Sequence, residues 1–234
     1  MKNEQISTIL EQLNLLDTNQ GLAWLADNLK DRVCFSTSFS QEDQVITHKI
    51  FSNQLAIEVF TLDTGRLFPE TYTTWSNTVA RYKTPIIAYY FENKALESFI
   101  SNNGPNSFYL SPERRRQCCH IRKVEPLQRA IANKQVWITG LRKEHSIVRQ
   151  NLPVALWDED NQIIKYNPLL AWSNEQVESF IKVNAIPTNV LYERGFTSIG
   201  CAPCTRAVEP GEDIRSGRWW WEQNSSKECG LHKK

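Results

Sequence analysis

The chain has 234 residues, of which 41% are hydrophobic and 11% aromatic, enough for a folded core, and this excludes an intrinsically disordered protein. Its 27 basic and 26 acidic residues leave a formal net charge of +1, which excludes a uniformly basic nucleic-acid coat. The longest purely apolar run, Ile86 to Phe91, has six residues and is too short to cross a bilayer. The N-terminal segment MKNEQISTIL lacks the apolar stretch of a secretory signal, so we expect a cytoplasmic protein that binds neither membranes nor nucleic acid.

The spacing of apolar residues predicts helices and strands that alternate along the chain. Steps of three and four residues from Ile6 to Leu16, and again from Leu22 to Leu29, predict two helices at the start. The further predictions are a strand over Val33–Ser38, a helix containing Val45 to Ile50, a strand over Ala56–Leu62, a helix over Pro69–Tyr82, a strand over Ile86–Tyr90, a helix around Ala95–Ile100, a helix over Gln117–Ala132, a strand over Val136–Thr139, a hairpin of Val154–Trp157 with Ile163–Tyr166, and a helix opened by a capping box at Ser173 and Gln176.

This alternation predicts an α/β fold, a mostly parallel sheet with helices on both faces. We expect one domain over residues 1–234, with residues 205–234 forming a C-terminal extension. Ligands of such sheets bind where the strands end, so the polar loops that follow predicted strands are candidate binding segments. These loops are Ser38–Asp43, Asp63–Gly65 and Gly140–Arg149.

Four of the six cysteines form two pairs, which in a cytoplasmic chain favours metal binding or catalysis over disulfides. Cys118 and Cys119 are adjacent, and Cys201 and Cys204 form a Cys-x-x-Cys pair. Together they could ligate zinc or a [4Fe–4S] cluster, whereas Cys-x-x-Cys alone would also suit a redox dithiol. Adjacent cysteines on a helix project about 100° apart, which suits a bulky cluster better than a compact zinc site, so we favour the cluster.

The two remaining cysteines differ in their surroundings. Cys34 lies in a predicted strand between Val33 and Phe35, where we expect it to pack as a small apolar residue. Cys229 lies in the polar tail near His232 and three lysines, where a thiol is accessible and cations favour the reactive thiolate. From these residues alone, Cys229 is either a nucleophile or an incidental surface cysteine.

Positive charge is concentrated in one segment of the nearly neutral chain. Residues 111–150 carry ten basic and three acidic side chains, a local net charge of +7, and include the adjacent cysteines. Basic neighbours would offset the charge of thiolates and could also form a pocket for phosphate or sulfate. Arg215 and Arg218, on either side of Ser216-Gly217, either add to this pocket or are solvated surface residues. The run Trp219 to Trp221 is expected to anchor the tail by packing.

Seven short motifs span the chain from Ser38 to His232. They are Ser38-Phe39-Ser40-x-Glu42-Asp43, Leu62-Asp63-Thr64-Gly65, Cys118-Cys119, Thr139-Gly140-Leu141-Arg142, Cys201-Ala202-Pro203-Cys204, Arg215-Ser216-Gly217-Arg218 and Glu228-Cys229-Gly230-Leu231-His232. In this order and spacing they resemble the assimilatory sulfonucleotide reductases. The cysteine pairs are similar to those of the iron–sulfur branch, the adenosine 5′-phosphosulfate reductases. The resemblance implies an adenine-nucleotide alpha-hydrolase-like, Rossmann-like fold.

The resemblance also implies a reaction and its residues. Adenosine 5′-phosphosulfate would be reduced to sulfite and AMP, with thioredoxin or glutaredoxin as donor, in assimilatory sulfate reduction and cysteine biosynthesis. Cys229 would form an S-sulfocysteine intermediate, Lys123 and His232 would assist it, and the four paired cysteines would hold one [4Fe–4S] cluster with a structural and electrostatic role. The substrate-binding residues it implies are Ser38, Phe39, Ser40, Glu42, Asp43, Leu62, Asp63, Thr64, Gly65, Arg142, Arg149, Arg215 and Arg218.

Several alternatives stay open at this point. Related ATP pyrophosphatases carry Ser-Gly-Gly-x-Asp-Ser where this chain has Phe39 and Ser40 in place of the glycines, and Glu42 and Asp43 after them. A loop without those glycines offers its backbone amides less freely to a triphosphate, which argues against an ATP pyrophosphatase-type sulfurtransferase. A reductase acting on 3′-phosphoadenosine 5′-phosphosulfate, or on both nucleotides, is a closer alternative. The +7 segment would suit a zinc-stabilised nucleic-acid-binding protein, but the near-neutral total argues against it. The sequence leaves a homo-oligomer open.

Overall fold

The structure is a computed structural model that describes residues 3–145 and 150–222. Helices and strands alternate along the chain, as the sequence predicts. The helices are α1 (Asn3–Leu15), α2 (Thr18–Asn28), α3 (Gln41–Ser52), α4 (Pro69–Tyr82), α5 (Asn93–Asn103), α6 (Pro112–Cys119), α7 (Glu125–Ile131) and α8 (Asn174–Val183). The strands are β1 (Val33–Ser36), β2 (Glu58–Asp63), β3 (Ile87–Tyr90), β4 (Val136–Ile138), β5 (Ala155–Asp158) and β6 (Ile163–Tyr166).

In the described residues these strands form one sheet in the order β3-β2-β1-β4-β6-β5. Strand β1 pairs in parallel with β2 and β4, and β4 pairs in parallel with β6. Strand β5 pairs antiparallel with β6, which confirms the hairpin prediction. The prediction of an α/β fold with a mostly parallel sheet is therefore confirmed. None of the helices in the described residues is both long and apolar enough to cross a membrane.

Local sequence signals set the ends of several helices. Pro69 begins α4, because its fixed φ suits a first helical turn and no partner is needed for its missing N–H. Ser173 and Gln176 form the predicted capping box at the start of α8. Cys34 is fully buried in β1, as expected of a packing residue. Burial raises the pKa of its thiol to about 12.

The segment predicted as one helix over Gln117–Ala132 is instead interrupted. Helix α6 ends at Cys119, a π-helical turn covers His120–Val124, and α7 follows. Pro126, near the start of α7, has no N–H to donate to the preceding turn, which breaks the regular hydrogen-bond ladder there. A π-helical turn rotates the side chains that follow it, and such turns are frequent at functional sites.

The described residues fall into two compact units. The first contains residues 3–61, 73–87, 131–145 and 150–189, and its buried cluster includes Leu13, Leu25, Phe35, Ile46 and Ile138. The second contains residues 62–72, 88–130 and 190–222. A single domain over residues 1–234 stays a prediction, because two groups of contacts do not show whether the parts fold separately.

Candidate functional site

The second unit brings the two predicted cysteine pairs into one four-cysteine set: Cys118, Cys119, Cys201 and Cys204. Electrostatic interactions join Cys118 to Cys201, and Cys204 to both Cys201 and Cys119. All four are half-buried free thiols. Within residues 3–145 and 150–222, no group of three or more His, Cys, Asp or Glu side chains is arranged to hold a metal ion. Four cysteine thiols, with no carboxylate or imidazole among them, are nevertheless a ligand set that iron–sulfur clusters and structural zinc ions use.

The Cys-x-x-Cys segment is held by backbone and side-chain hydrogen bonds. Cys201 precedes a 3-10 turn over Ala202–Cys204. The amide of Ala202 donates to the carbonyl oxygen of Arg66 at 2.8 Å, and the amide of Cys204 donates to the carbonyl of Cys201 at 2.9 Å. The hydroxyl of Tyr109 donates to the carbonyl of Pro203 at 2.6 Å. These bonds fix the backbone from which the two thiols project.

The loop Asp63-Thr64-Gly65, predicted to bind substrate, meets the four-cysteine set. The Oγ1 of Thr64 lies 3.3 Å from the Sγ of Cys201. The Asp63 carboxylate accepts hydrogen bonds from the amide of Gly65 at 2.8 Å and from the hydroxyl of Tyr72 at 2.7 Å. Gly65 has a φ of 65°, a value that favours glycine, so the tight turn that presents Thr64 depends on it.

Positive side chains surround Cys201. Burial alone would raise the pKa of this thiol, but Lys123, the Thr64 hydroxyl and Arg218 outweigh burial and lower it. Arg218 is buried, and Gly200 makes room for it, since a Cβ on that glycine would lie 2.5 Å from the guanidinium carbon. Lys123, four residues after Cys119, therefore interacts electrostatically with the four-cysteine set.

The pKa values of Cys118 and Cys204 shift in the opposite direction to that of Cys201. Burial raises the pKa of Cys118, with Cys201 adding to it and Arg122 opposing it. Burial also raises the pKa of Cys204 to about 12, with Cys201 and Cys119 adding to it. Metal ligands must be deprotonated, so binding of a metal centre by this set would release protons.

Two arginines that the sequence analysis did not single out also contact the set. Arg122 is buried, donates to the carbonyl oxygen of Thr64 and interacts electrostatically with Cys118. Arg115 is buried and interacts electrostatically with Cys119. Arg115 lies four residues before Cys119, and Arg122 four residues after Cys118. This helical spacing was the signal that could have identified both.

The loop after β1, in the first unit, is held by its own side chains. The amide and hydroxyl of Ser38 donate to Asp43 at 2.6 and 2.7 Å, and the amide of Asp43 donates to the Ser40 hydroxyl at 3.2 Å. Phe39 is buried with a φ of 61°, and its amide donates to the Thr37 hydroxyl at 3.1 Å. The amides of three loop residues are thus engaged within the loop, in keeping with the expectation that it offers few amides to a triphosphate.

Asp43 is the buried centre of this loop. Burial raises the pKa of its carboxyl to about 6, although the hydrogen bonds from Ser38 act in the opposite direction. Gly140, which follows β4, packs directly against Asp43, because a Cβ there would lie 2.2 Å from Oδ1. The glycine of the Thr139-Gly140 motif therefore allows the loops after β1 and β4 to approach each other.

Arg142, predicted to clamp the substrate, is buried at 1% exposure with its guanidinium engaged by protein groups. Its Nε donates to Glu42 at 2.9 Å, and its Nη1 donates to Glu144 at 2.9 Å and to the carbonyl of Trp172 at 3.0 Å. Its Nη2 donates to Asn174 at the start of α8. Arg142 therefore joins the loop after β4 to α3 and α8, and its role as a clamp stays a prediction.

Known proteins resemble the chain over most of its length. Residues 32–207 match the family model described as "Phosphoadenosine phosphosulfate reductase domain". The adenosine 5′-phosphosulfate reductase of Burkholderia cepacia is 46% identical over 202 residues, which cover 86% of this chain and 81% of that protein. The enzyme of the same name from Rhizobium meliloti is 46% identical over 222 residues, covering 95% of this chain and 83% of that one. The chain belongs to the adenosine 5′-phosphosulfate reductase family.

Solved structures agree with this family membership. The phosphoadenylyl-sulfate reductase of Candida auris, crystallised as a phosphate complex, superposes with a TM-score of 0.74 at 28% identity, covering 89% of this chain and 98% of that one. The FMN adenylyltransferase of Candida glabrata, in complex with FAD and pyrophosphate, superposes with a TM-score of 0.54 at 15% identity, covering 96% and 77%, and shows the fold alone. The predictions of an oxidoreductase of this family and of an adenine-nucleotide alpha-hydrolase-like fold are confirmed.

In this family member the predicted site residues lie in both units. The second unit holds the four-cysteine set with Leu62, Asp63, Thr64, Gly65, Lys123, Arg215 and Arg218. The first unit holds Ser38, Phe39, Ser40, Glu42, Asp43 and Arg142. Arg149, Cys229 and His232 lie outside the described residues.

Proposed function

We propose that the chain reduces adenosine 5′-phosphosulfate to sulfite and AMP in assimilatory sulfate reduction, the route to cysteine biosynthesis. The names and 46% identity of the curated relatives support this substrate. The observation that carries the proposal is the four-cysteine set, which contacts the loop after β2 and is surrounded by Lys123, Arg122 and Arg218. Sulfonucleotides are anionic, and these cations, of which Arg122 and Arg218 are buried, suit them.

Cys229 is the proposed nucleophile. Its thiolate attacks the sulfur of the substrate, the bond between that sulfur and the bridging oxygen breaks, and AMP leaves with the electron pair. A thiolate of thioredoxin or glutaredoxin then attacks the Sγ of Cys229, which forms a mixed disulfide and releases sulfite. The second thiol of the donor resolves that disulfide. Both electrons come from the donor thiols, which are oxidised while the sulfate sulfur is reduced.

Positive charge must be in place before a thiolate approaches an anionic sulfate. The Nε atoms of Arg122 and Arg218 are buried and have no hydrogen-bond partner within the described part of the chain, so they are donors available to an anion. Lys123 faces the same thiols as Arg218. Arg215, Arg149 and His232 are the further residues proposed to act on the substrate. The roles of these three residues are supported by the sequence motifs and not by contacts in the structure.

One [4Fe–4S] cluster is the proposed cofactor, with Cys118, Cys119, Cys201 and Cys204 as its ligands. Four thiols beside buried guanidinium groups fit an anionic thiolate-ligated cluster. When bound, the cluster would supply fixed charge and hold two distant chain segments together. Its ligands and the nucleophile must stay reduced, which supports the cytoplasm as the proposed location.

The substrate 3′-phosphoadenosine 5′-phosphosulfate is the second candidate. The name of the matched family model and the Candida auris relative favour it. It carries an additional phosphate on the ribose, which requires further cations in the site. The curated relatives at 46% identity carry the adenosine 5′-phosphosulfate name, so we place that substrate first.

The deciding experiment measures kcat/KM for the two nucleotides with reduced thioredoxin as donor. A higher value for adenosine 5′-phosphosulfate is expected, and the reverse order would overturn the substrate assignment. Radioactive sulfur from the substrate should label the wild-type chain in a form released by thiols. Cys229→Ser should abolish the label, whereas Cys34→Ala should retain it. A thiol-releasable label that persists in Cys229→Ser would contradict the proposed nucleophile.

A further inference from the structure

A buried ion pair lies at the base of the C-terminal segment. The Nε of Arg115 donates to one carboxylate oxygen of Glu222, and its Nη2 donates to the other at 3.0 Å. The two residues are 7% and 8% exposed. Glu222 is the last described residue before residues 223–234, which include Cys229. Such a bidentate pair fixes both backbones, since loss of one partner would leave a charge unpaired in a dry site.

The same arginine reaches the four-cysteine set. An electrostatic interaction links the Arg115 guanidinium to Cys119, which lies one turn further along α6. A guanidinium group spreads its charge over a rigid plane with five N–H donors, so it can pair with a carboxylate while its charge also acts on a nearby thiol. Arg115 therefore connects a proposed cluster ligand to the residue from which the nucleophile-bearing segment continues.

Trp219 reinforces this connection. The guanidinium carbons of Arg115 and Arg218 lie 4.3 Å and 5.0 Å from the centre of its ring. The amide of Trp219 donates to the carbonyl of Cys204 at 3.2 Å, and its own carbonyl accepts from the amide of Glu222 at 2.9 Å. Trp219 is 1% exposed, so its ring is enclosed by this packing. The base of the segment is thus fastened to both cysteine pairs.

We propose that Arg115 is a positioning residue that couples the four-cysteine set to the nucleophile-bearing segment by holding Glu222. This inference rests on the proposed function, which takes Cys229 as nucleophile and the four cysteines as ligands. In this proposal Arg115 orients the segment that follows Glu222 for attack by Cys229, and it does not contact the substrate. Loosening the pair should therefore lower kcat and change the accessibility of Cys229, while nucleotide affinity is kept.

The test compares Glu222→Gln with the wild-type holoenzyme. The readouts are kcat, KM for the nucleotide, and the alkylation rate of Cys229 by iodoacetamide, measured by mass spectrometry of the C-terminal peptide. We expect kcat to fall about tenfold or more, KM to stay within about twofold, and alkylation to become several-fold faster. A purely structural role would lower thermal stability without this separation of kcat from KM.

Glu212→Gln is the matched control. Glu212 forms a bidentate ion pair with Arg206 at 2.9 Å for both bonds, in the same unit but at an exposed position. The substitution removes the same charge without touching Arg115, so kcat and the alkylation rate should not change. Where Glu222→Gln does not fold, Glu222→Asp keeps the charge but shortens the side chain, and should show the same effects more weakly.

Unchanged kcat and unchanged Cys229 alkylation in Glu222→Gln, with the cysteine site intact, would overturn this inference. The alkylation readout needs no turnover, so it tests the link between Glu222 and Cys229 independently of catalysis. Full activity of Cys229→Ser would instead overturn the proposed function. The two failures are therefore distinguishable.

Discussion

The Oγ1 of Thr64 and the Sγ of Cys201 lie 3.3 Å apart, although 137 residues separate them in the sequence. Thr64 follows β2, and Cys201 opens the Cys-x-x-Cys pair, so the contact joins a predicted nucleotide loop to a proposed cluster ligand. The Thr64 carbonyl also accepts a hydrogen bond from Arg122. Hydrogen bonds to a metal ligand from outside the coordination sphere orient it and tune the metal.

Thr64→Val is the first predicted change. Valine keeps the branched shape but removes the hydroxyl, so Cys201 loses a hydrogen bond that favours its thiolate. We expect iron to be lost to a chelator roughly tenfold faster than from the wild-type protein, the lower end of the effect of such contacts. The decay of the visible absorbance of the cluster measures this rate under anaerobic conditions.

Thr78→Val is the control for this experiment. The buried hydroxyl of Thr78 donates to the carbonyl of Thr74 at 2.7 Å in the first unit, away from any cysteine pair in the sequence. Thr78→Val should lower the stability of the protein without changing the rate of iron loss. Equal rates of iron loss from Thr64→Val and the wild-type protein would contradict the role assigned to the hydroxyl.

Local sequence patterns predicted the helices and strands, whereas the candidate site depends on contacts between residues far apart in the sequence. The bounds of α4 and the capping box of α8 depend on residues within one or two turns, so the sequence contains the whole signal. Arg115 and Glu222 are 107 residues apart, and nothing in the local spacing of either one specifies the other. The family motifs indicated Arg142 but not its burial, which depends on Glu42, 100 residues away.

The second prediction concerns pH. Burial raises the pKa of Asp43 from 3.8 to about 6 in the folded chain, so the folded state binds this proton more tightly than the unfolded state. The resulting stabilisation is complete below pH 3.8 and is lost as the pH rises through 6. A shift of this size corresponds to about 3 kcal/mol. The free energy of unfolding, from urea titrations between pH 4 and 7, measures it.

Asp43→Asn removes the titrating group and isolates this effect. The free energy of unfolding of the wild-type protein, minus that of Asp43→Asn, should decrease as the pH rises from 4 to 7. A constant offset from the altered hydrogen bonds to Ser38 does not affect this slope. A difference that is flat or increases with pH would show that Asp43 is not a buried acid of raised pKa.

Gly140→Ala is the third predicted change. The new Cβ would lie 2.2 Å from the Oδ1 of Asp43 and 3.1 Å from the Cβ of Glu42, so the loop after β1 must move. A displacement of about 1 Å at a binding site can lower kcat/KM roughly 100-fold, and we expect a loss of that order. Overpacking of this kind should also reduce stability by about 1–3 kcal/mol.

Gly104→Ala is the matched control, since nothing lies within 4 Å of a Cβ there, while its φ of 79° still strains an alanine. Its stability should fall by about 1 kcal/mol with kcat/KM unchanged. If the two variants lost kcat/KM equally, the effect of Gly140→Ala would come from general destabilisation rather than from the displaced loop.

The fourth prediction concerns the buried pair of Arg142 and Glu42, whose side chains are 2% and 7% exposed. Arg142→Met removes the guanidinium that donates to Glu42 at 2.9 Å in a dry site, so we expect a loss of about 3–5 kcal/mol in the free energy of unfolding. Adding Glu42→Gln to Arg142→Met removes the buried carboxylate charge that faced the deleted guanidinium and should restore about 1–3 kcal/mol of that loss. Urea denaturation of the wild-type protein, both single variants and the double variant completes the cycle.

Glu144→Gln compares the stability contribution of the exposed partner of Arg142 with that of its buried partner, Glu42. Glu144 accepts from the same guanidinium at 2.9 Å, but its side chain is 44% exposed, so water can replace the lost interaction. Substitution of Glu144 should lower the free energy of unfolding by less than about 1 kcal/mol. If Arg142→Met lowered the free energy of unfolding no more than Glu144→Gln, the guanidinium would contribute little to holding these loops together.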